Sequence, residues 1–154
     1  MRNRPSIVLG WSLAVGAMLA GAFGLGLEVG HSRAQAREPL PRFTPLLQTG
    51  KTVMDELIVY PPGPAKLTTG IIAMAPGAET GWHTHGMPLT GIVLDGELTV
   101  DYGDKGTRTF RKGDSIAEAI AVPHNGRNSG ADIMRLFVVF IGAEGQPTAT
   151  PVQR

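Results

Sequence analysis

Gly81-Trp-His-Thr-His-Gly86 and Pro123-His-Asn-Gly-Arg-Asn128 contain all three histidines that follow residue 36. Side chains of a β-strand alternate between its two faces, so the His83-Thr-His85 spacing sends both imidazoles to one side. His124, about forty residues further on, joins them only if the sheet curls back on itself. The pattern predicts a small β-barrel with a metal inside it, held by His83, His85 and His124. The competing reading is a set of polar barrel residues that hold no metal.

The flanking sequence supports a barrel. Short apolar segments at 53–60, 67–75, 89–94, 97–102, 107–111, 115–119 and 133–141 have strand character. Turn residues separate them: Pro61-Pro-Gly-Pro64 ends the first and Pro76-Gly77 the second. Asp95-Gly96 is a hairpin signal, and Gly103-Asp-Lys-Gly106 turns the chain again. No segment has a helical period. The expectation is an all-β, antiparallel sandwich or barrel over 51–145. Residues 37–50, with Pro39, Pro41 and Pro45, read as a linker or a surface arm. Residues 146–154, with Pro147 and Pro151, read as a loose cover or a disordered tail.

Composition narrows the function. The 154 residues suit one domain plus an extension, and a net charge of +1 gives no footprint for nucleic acid. Twenty-one glycines and twelve prolines fit many turns rather than a helical bundle. The absence of cysteine excludes thiolate ligands, disulfides and a cysteine nucleophile.

The first thirty-six residues read as standing apart from the barrel. Arg2 and Arg4 precede an uncharged run from 7 to 27, and Ala34-Gln-Ala36 offers a small-x-small cleavage site. The segment is either an export signal peptide or an uncleaved transmembrane anchor, because twenty-one apolar residues also suffice to span a bilayer. Both readings place residues 37–154 outside the cytoplasm, in the periplasm or an equivalent compartment, since the basic start stays inside. Without residues 1–36 the remaining 118 carry 11 basic and 12 acidic groups, a net −1.

The two histidine segments resemble the cupin superfamily. Its first motif has the form G-x5-H-x-H-x3-E-x6-G, and Gly77, His83, His85 and Gly96 fall at that spacing. Its second has the form G-x5-P-x-G-x2-H-x3-N, matched by Gly113, His124 and Asn128. Two positions depart. The motif glutamate is Leu89, followed by Thr90, and the Pro-x-Gly bend is Ala119-Ile-Ala121. The resemblance therefore implies a double-stranded β-helix, the jelly-roll barrel of that family, with a three-histidine site rather than the commoner site with a fourth, glutamate ligand. It also implies a small-molecule ligand and, since small members pair through edge strands, a homodimer.

Three neutral imidazoles leave the +2 charge of a divalent metal uncompensated. Affinity falls relative to a carboxylate-bearing site, bound water becomes more acidic, and an anionic ligand is favoured. Such a set suits Fe, Mn, Zn, Cu or Ni, and three protein ligands with open positions describe a catalytic metal. Glu79 and Glu118 are candidates to replace the lost carboxylate, with a supporting or surface role as the alternative. Trp82 and Thr84 alternate away from the histidines. Met87 and Leu89 keep the histidine parity and are expected at the pocket mouth, offering an apolar wall to substrate or simply packing the core. Arg135 interrupts the apolar run 133–141, where it either holds a substrate carboxylate or is solvated. Asn128 is expected to fix the loop that carries His124, and Gly77, Gly96 and Gly113 to make turns. The functions compatible with these residues are a metal-dependent enzyme of the cell envelope, either a dioxygenase-type oxidoreductase or an isomerase or hydrolytic enzyme, a non-catalytic metal- or ligand-binding, sensory module, and a structural barrel with a vestigial site, which the retention of all three histidines disfavours.

Overall fold

The structure, a computed structural model, describes residues 40–153. The signal-or-anchor expectation for 1–36 falls outside that range. Among the described residues no helix is long and apolar enough to cross a membrane.

The described residues form nine strands, in order: β1 (Ala65–Met74), β2 (His83–Thr84), β3 (Leu89–Asp95), β4 (Glu97–Asp101), β5 (Thr107–Arg111), β6 (Ser115–Ala117), β7 (Asn125–Asn128), β8 (Met134–Ala143) and β9 (Thr150–Pro151). They form an antiparallel four-stranded sheet in the order β1-β8-β3-β6, a three-stranded sheet β5-β4-β7 and the pair β2-β9. The two larger sheets enclose the core between them, as in a flattened barrel. Alternation decides which side chains enter it. Met134, Leu136 and Val138 of β8 are buried, while Arg135 and Phe137 between them are exposed. Leu98 and Val100 of β4 face the same interior, with Leu89 and Val93 of β3 and Met74 of β1. Each fully buried aliphatic side chain of this kind contributes about 2 kcal/mol. On the outer face of β4, Thr99 exchanges hydroxyl hydrogen bonds with Thr109 and Ser129.

Four local expectations are corrected. Asp95-Gly96 does not make a hairpin, because β3 pairs with β6 and β8, whereas β4 pairs with β5 and β7. The dipeptide is a corner that carries the chain from one sheet to the other. Gly96 is required there: its φ is 76° and a Cβ would lie 2.9 Å from Met134 Cα. The neighbouring 103–106 turn does close a hairpin, between β4 and β5. Residues 53–60 are not a strand. Asp55 adopts φ 62°, and Thr52 Oγ1 accepts from the Met54 and Glu56 amides, which folds the segment into a turn with one bridge, Lys51 to Leu57. The 115–119 segment leaves the ladder after Ala117.

The fourth correction concerns strands whose sequence lacks strand character. Asn125-Gly-Arg-Asn128 has poor β-propensity, yet it pairs with β4 from Leu98↔Asn128 to Asp101↔Asn125. The tail expected to be loose supplies β9, which pairs His83↔Pro151 and Thr84↔Thr150, and the Val152 amide donates to Trp82 O. In both cases the partner strand, not local preference, sets the conformation. The arm from 41 to 50 has no strand, and its residues 43–47 lie over the outer face of β3 and β8.

Candidate metal centre

Backbone pairing brings the three histidines together before any side chain is considered. His83 and His124 face each other across an antiparallel bridge, each amide donating to the other's carbonyl at 3.0 Å. The His85 amide donates to Ile120 O at 2.8 Å, which pins the segment before His124 against the segment after β2. The ring centroids stand 4.9 Å (His83–His85), 4.4 Å (His83–His124) and 5.0 Å (His85–His124) apart.

Each imidazole is oriented by a backbone carbonyl. His83 Nδ1 donates to Gly81 O at 2.8 Å, His85 Nδ1 to Thr148 O at 2.6 Å and His124 Nδ1 to Val122 O at 2.8 Å. A carbonyl only accepts, so all three rings carry their proton on Nδ1 and turn an Nε2 lone pair inward. One ligand atom from each ring lies within 4.8 Å of the others. His85 Nε2 and His124 Nε2 are 3.3 Å apart. Two lone pairs at that separation repel unless a cation lies between them. The distance matches two nitrogens that sit about 2.1 Å from one metal at a tetrahedral angle. The donor set therefore fits a divalent metal.

Electrostatics keep the ligands available. Burial lowers the pKa of all three rings; for His85 it outweighs the Thr148 hydrogen bond and brings the value to about 4. An ordinary imidazole is half protonated near pH 6.5, so this site competes poorly for protons and well for metal. The sign for stability follows: a depressed folded-state pKa costs nothing above 6.5, and the metal-free fold loses stability as pH falls from 6.5 towards 4. We expect metal affinity to change little between pH 8 and 6.5 and to decline only as the pH approaches the lowered values of the three rings. A titration at each pH checks this, and a steep loss already at pH 7 would contradict it.

The cavity at the histidines has a volume of about 60 Å³. It opens onto a cleft of about 530 Å³ bordered by β1, Trp82 and the tail residues Thr148 and Pro151. His83, His85, Ile72, Val138 and Phe140 border both. The walls are mostly apolar.

The other sequence candidates separate clearly. Leu89 lines the cavity. Met87 does not: the chain bends at Gly86-Met87, which breaks the histidine parity, and Met87 packs instead over Gly142. Arg135 is also outside. It sits between inward-facing Met134 and Leu136, so it points outward and pairs with Asp95 at 2.7 Å. Glu79 is exposed and accepts a hydrogen bond from Asn125 Nδ2 at 2.9 Å. Glu118, in contrast, is buried and lines the cavity, although it is not among the three groups close enough to share a metal. Burial pushes its carboxyl up, against hydrogen bonds from the Tyr102 hydroxyl and the Ala119 amide that favour the charge. Asn128 does not hold the His124 loop. It ties the end of β7 to Met74 O and to the 129–132 turn.

The His124 loop is held by Glu56, a residue the sequence reading passed over. Its carboxylate accepts from the consecutive amides of Ile120, Ala121 and Val122 at 2.7, 2.7 and 3.2 Å, and from the Thr52 hydroxyl. Burial acts to raise its pKa, but the amides outweigh it and hold the carboxyl below its ordinary value. Glu56 thus makes the bend for which Ala119-Ile-Ala121 lacks proline and glycine. The missing Pro-x-Gly was the available signal, but nothing local pointed to a residue sixty-four positions away. Thr148 was also missed. It acts through its carbonyl, which every residue has, so no sequence signal exists.

Leu89 occupies the position of the family's glutamate and faces the histidines. We expect Leu89→Glu to add a fourth ligand and to raise metal affinity in a chelator competition. An unchanged or lower affinity would show that a carboxylate at 89 does not reach the metal.

Residues 70–140 match the family model described as the cupin domain. No protein of curated function matches. Among solved structures, the chain is similar to the cupin domain of an XRE family transcriptional regulator from Enterobacter cloacae, with 28% identity, a TM-score of 0.42, and coverage of 49% of this chain and 80% of that one. It is also similar to an oxalate oxidase in complex with the substrate analogue glycolate, with 26% identity and a TM-score of 0.48. That match covers 56% of this chain and 46% of the oxidase, so the chain spans less than half of the oxidase's length. A third similar structure is the polyketide cyclase RemF from Streptomyces resistomycificus, with 21% identity, a TM-score of 0.49, and coverage of 57% and 61%. The family model is matched from within β1 to within β8 with both motif segments inside that match, which assigns residues 70–140, not the chain as a whole, to a cupin domain.

Proposed function

We propose that the protein is a metal-dependent cupin of the cell envelope that acts on a small organic anion, with dioxygenase-type oxidation as the reaction class. One observation carries the reading: one ligand atom from each of three histidines lies within 4.8 Å of the others, with every Nδ1 tied to a backbone carbonyl. Side chains oriented in this way by backbone carbonyls present their free nitrogens to a shared metal. A divalent metal held there supplies Lewis acidity, and a redox metal also supplies a site for O2. The chain supplies the rest. Three neutral ligands favour an anionic substrate, the apolar walls favour a body without charge, and the small cavity excludes macromolecules. The basic, then apolar, sequence of residues 1–36 supports the envelope location.

The test begins with the metal content of untagged protein purified without chelator. Protein loaded with Fe(II), Mn(II), Cu(II), Ni(II) or Zn(II) is then screened for oxygen uptake and product with β-diketones, flavonols, catechols and short keto acids. Turnover with a redox metal supports the oxidative reading. Product without oxygen uptake points to an isomerase, and tight binding without product points to a binding or sensory module. Activity of alkaline phosphatase fused after Arg154 tests export separately.

A further inference from the structure

Glu118 is the one cavity residue whose chemistry the metal centre does not absorb. Both of its hydrogen bonds fall on Oε1, which accepts from the Tyr102 hydroxyl at 2.7 Å and from the Ala119 amide at 2.7 Å. Oε2 takes none. No fully buried side-chain oxygen or nitrogen among the described residues lacks a partner, so Oε2 is open to the cavity that Glu118 lines. The residue itself is 7 % exposed. Burying a carboxyl in this way without a second partner is costly, and the cost is offset when a ligand supplies one.

The remaining polar cavity groups are committed. The histidines turn Nε2 towards the metal position, and Thr80 Oγ1 donates to Gly81 O and accepts from the Gly126 amide. Glu118 Oε2 is therefore the polar atom that the cavity offers to a ligand beyond the metal. Tyr102, whose ring lies 5.8 Å from that of His124, fixes its position relative to the centre. A hydroxyl is the matching group, because it both donates and accepts and so suits the carboxyl in either protonation state.

We infer that Glu118 is the recognition residue of this cavity: its Oε2 hydrogen-bonds a hydroxyl on the anionic ligand, so the protein selects small hydroxylated acids over their unhydroxylated counterparts. The inference rests on the proposed metal centre and names the substrate class for it.

The full chain loaded with Co(II), whose visible absorption reports ligand entry, is titrated with lactate and with propionate. The same titrations are made on Glu118→Ala, which leaves room for water at Tyr102 and Ala119. They are repeated on the double variant Glu118→Leu, Tyr102→Phe, which removes both side-chain partners. Any contact of the lactate hydroxyl with the metal is common to all three proteins and cancels in the comparison. We expect the preference for lactate over propionate to fall about tenfold in each folded variant, the loss of one hydrogen bond, with Co(II) affinity unchanged. An unchanged preference overturns the inference alone. A large drop in Co(II) affinity also overturns it, by making Glu118 a metal ligand. Failure of the parent protein to bind Co(II) overturns the metal centre itself, and this inference with it.

Discussion

Replacing His124 by alanine is expected to lower divalent-metal affinity by more than about 100-fold while leaving the barrel folded. Loss of a residue that merely orients a ligand costs 10–100-fold, so loss of a ligand costs at least the upper end of that range. Two remaining imidazoles rarely hold a metal firmly. The fold survives because the link between the two motifs runs through the backbone: the His83–His124 bridge and the bond from the His85 amide to Ile120 O need no imidazole. Removing the ring also relieves the 3.3 Å contact between His85 Nε2 and His124 Nε2, which is unfavourable in the metal-free state. His124→Ala should therefore match the parent protein in thermal stability without metal, yet gain little when metal is added. Chelator competition and melting with and without Zn(II) measure both. A loss of less than tenfold would show that the three rings do not share one ion.

Glu56→Ala is expected to act on the same centre from a distance. The substitution removes a carboxylate that accepts from three consecutive amides and the Thr52 hydroxyl. Charge-assisted bonds of this kind are individually strong, but the group is partly exposed and water replaces some of them. A loss of about 2 kcal/mol is the discounted figure. For a domain of this size it corresponds to roughly 10 °C in melting temperature. The loop freed from Glu56 carries His124 and the Ile120 carbonyl that receives the His85 amide, so metal affinity should fall as well. Glu56→Gln should recover only part of the loss, because an amide presents one oxygen where the carboxylate presents two. The pH dependence has a definite sign. The folded-state carboxyl titrates below 4.5, so its contribution is complete above pH 4.5 and is lost as the pH falls through the folded-state value. A variant that melts within about 2 °C of the parent protein and binds metal as tightly would refute the role given to Glu56, since that shift corresponds to less than 0.5 kcal/mol.

The sequence by itself determined the convergence of the histidines. Period-two alternation puts His83 and His85 on one side of their strand, and the low histidine content leaves His124 as their partner within the barrel. It also determined that the chain is all-β, because turn residues recur between short apolar runs, and that the site lacks the family's glutamate at position 89. Only the tertiary structure decided the rest. Leu89 enters the cavity and Met87 does not, because the bend at Gly86-Met87 resets which face a side chain meets, so parity counted from His85 does not carry across it. Arg135 was legible as an interruption in an apolar strand, and alternation with Met134 and Leu136 turns it outward, but the group it meets there, Asp95, lies forty residues away. Asp95-Gly96 has the composition of a hairpin turn, yet it is a corner, because β8 and β6 occupy both edges of β3. The same limit applied to Glu56, Glu118 and the carbonyl of Thr148. Local sequence fixes the direction of a side chain within its own element, whereas the group it meets is set by chain segments that long-range pairing brings alongside, and no local pattern encodes that pairing.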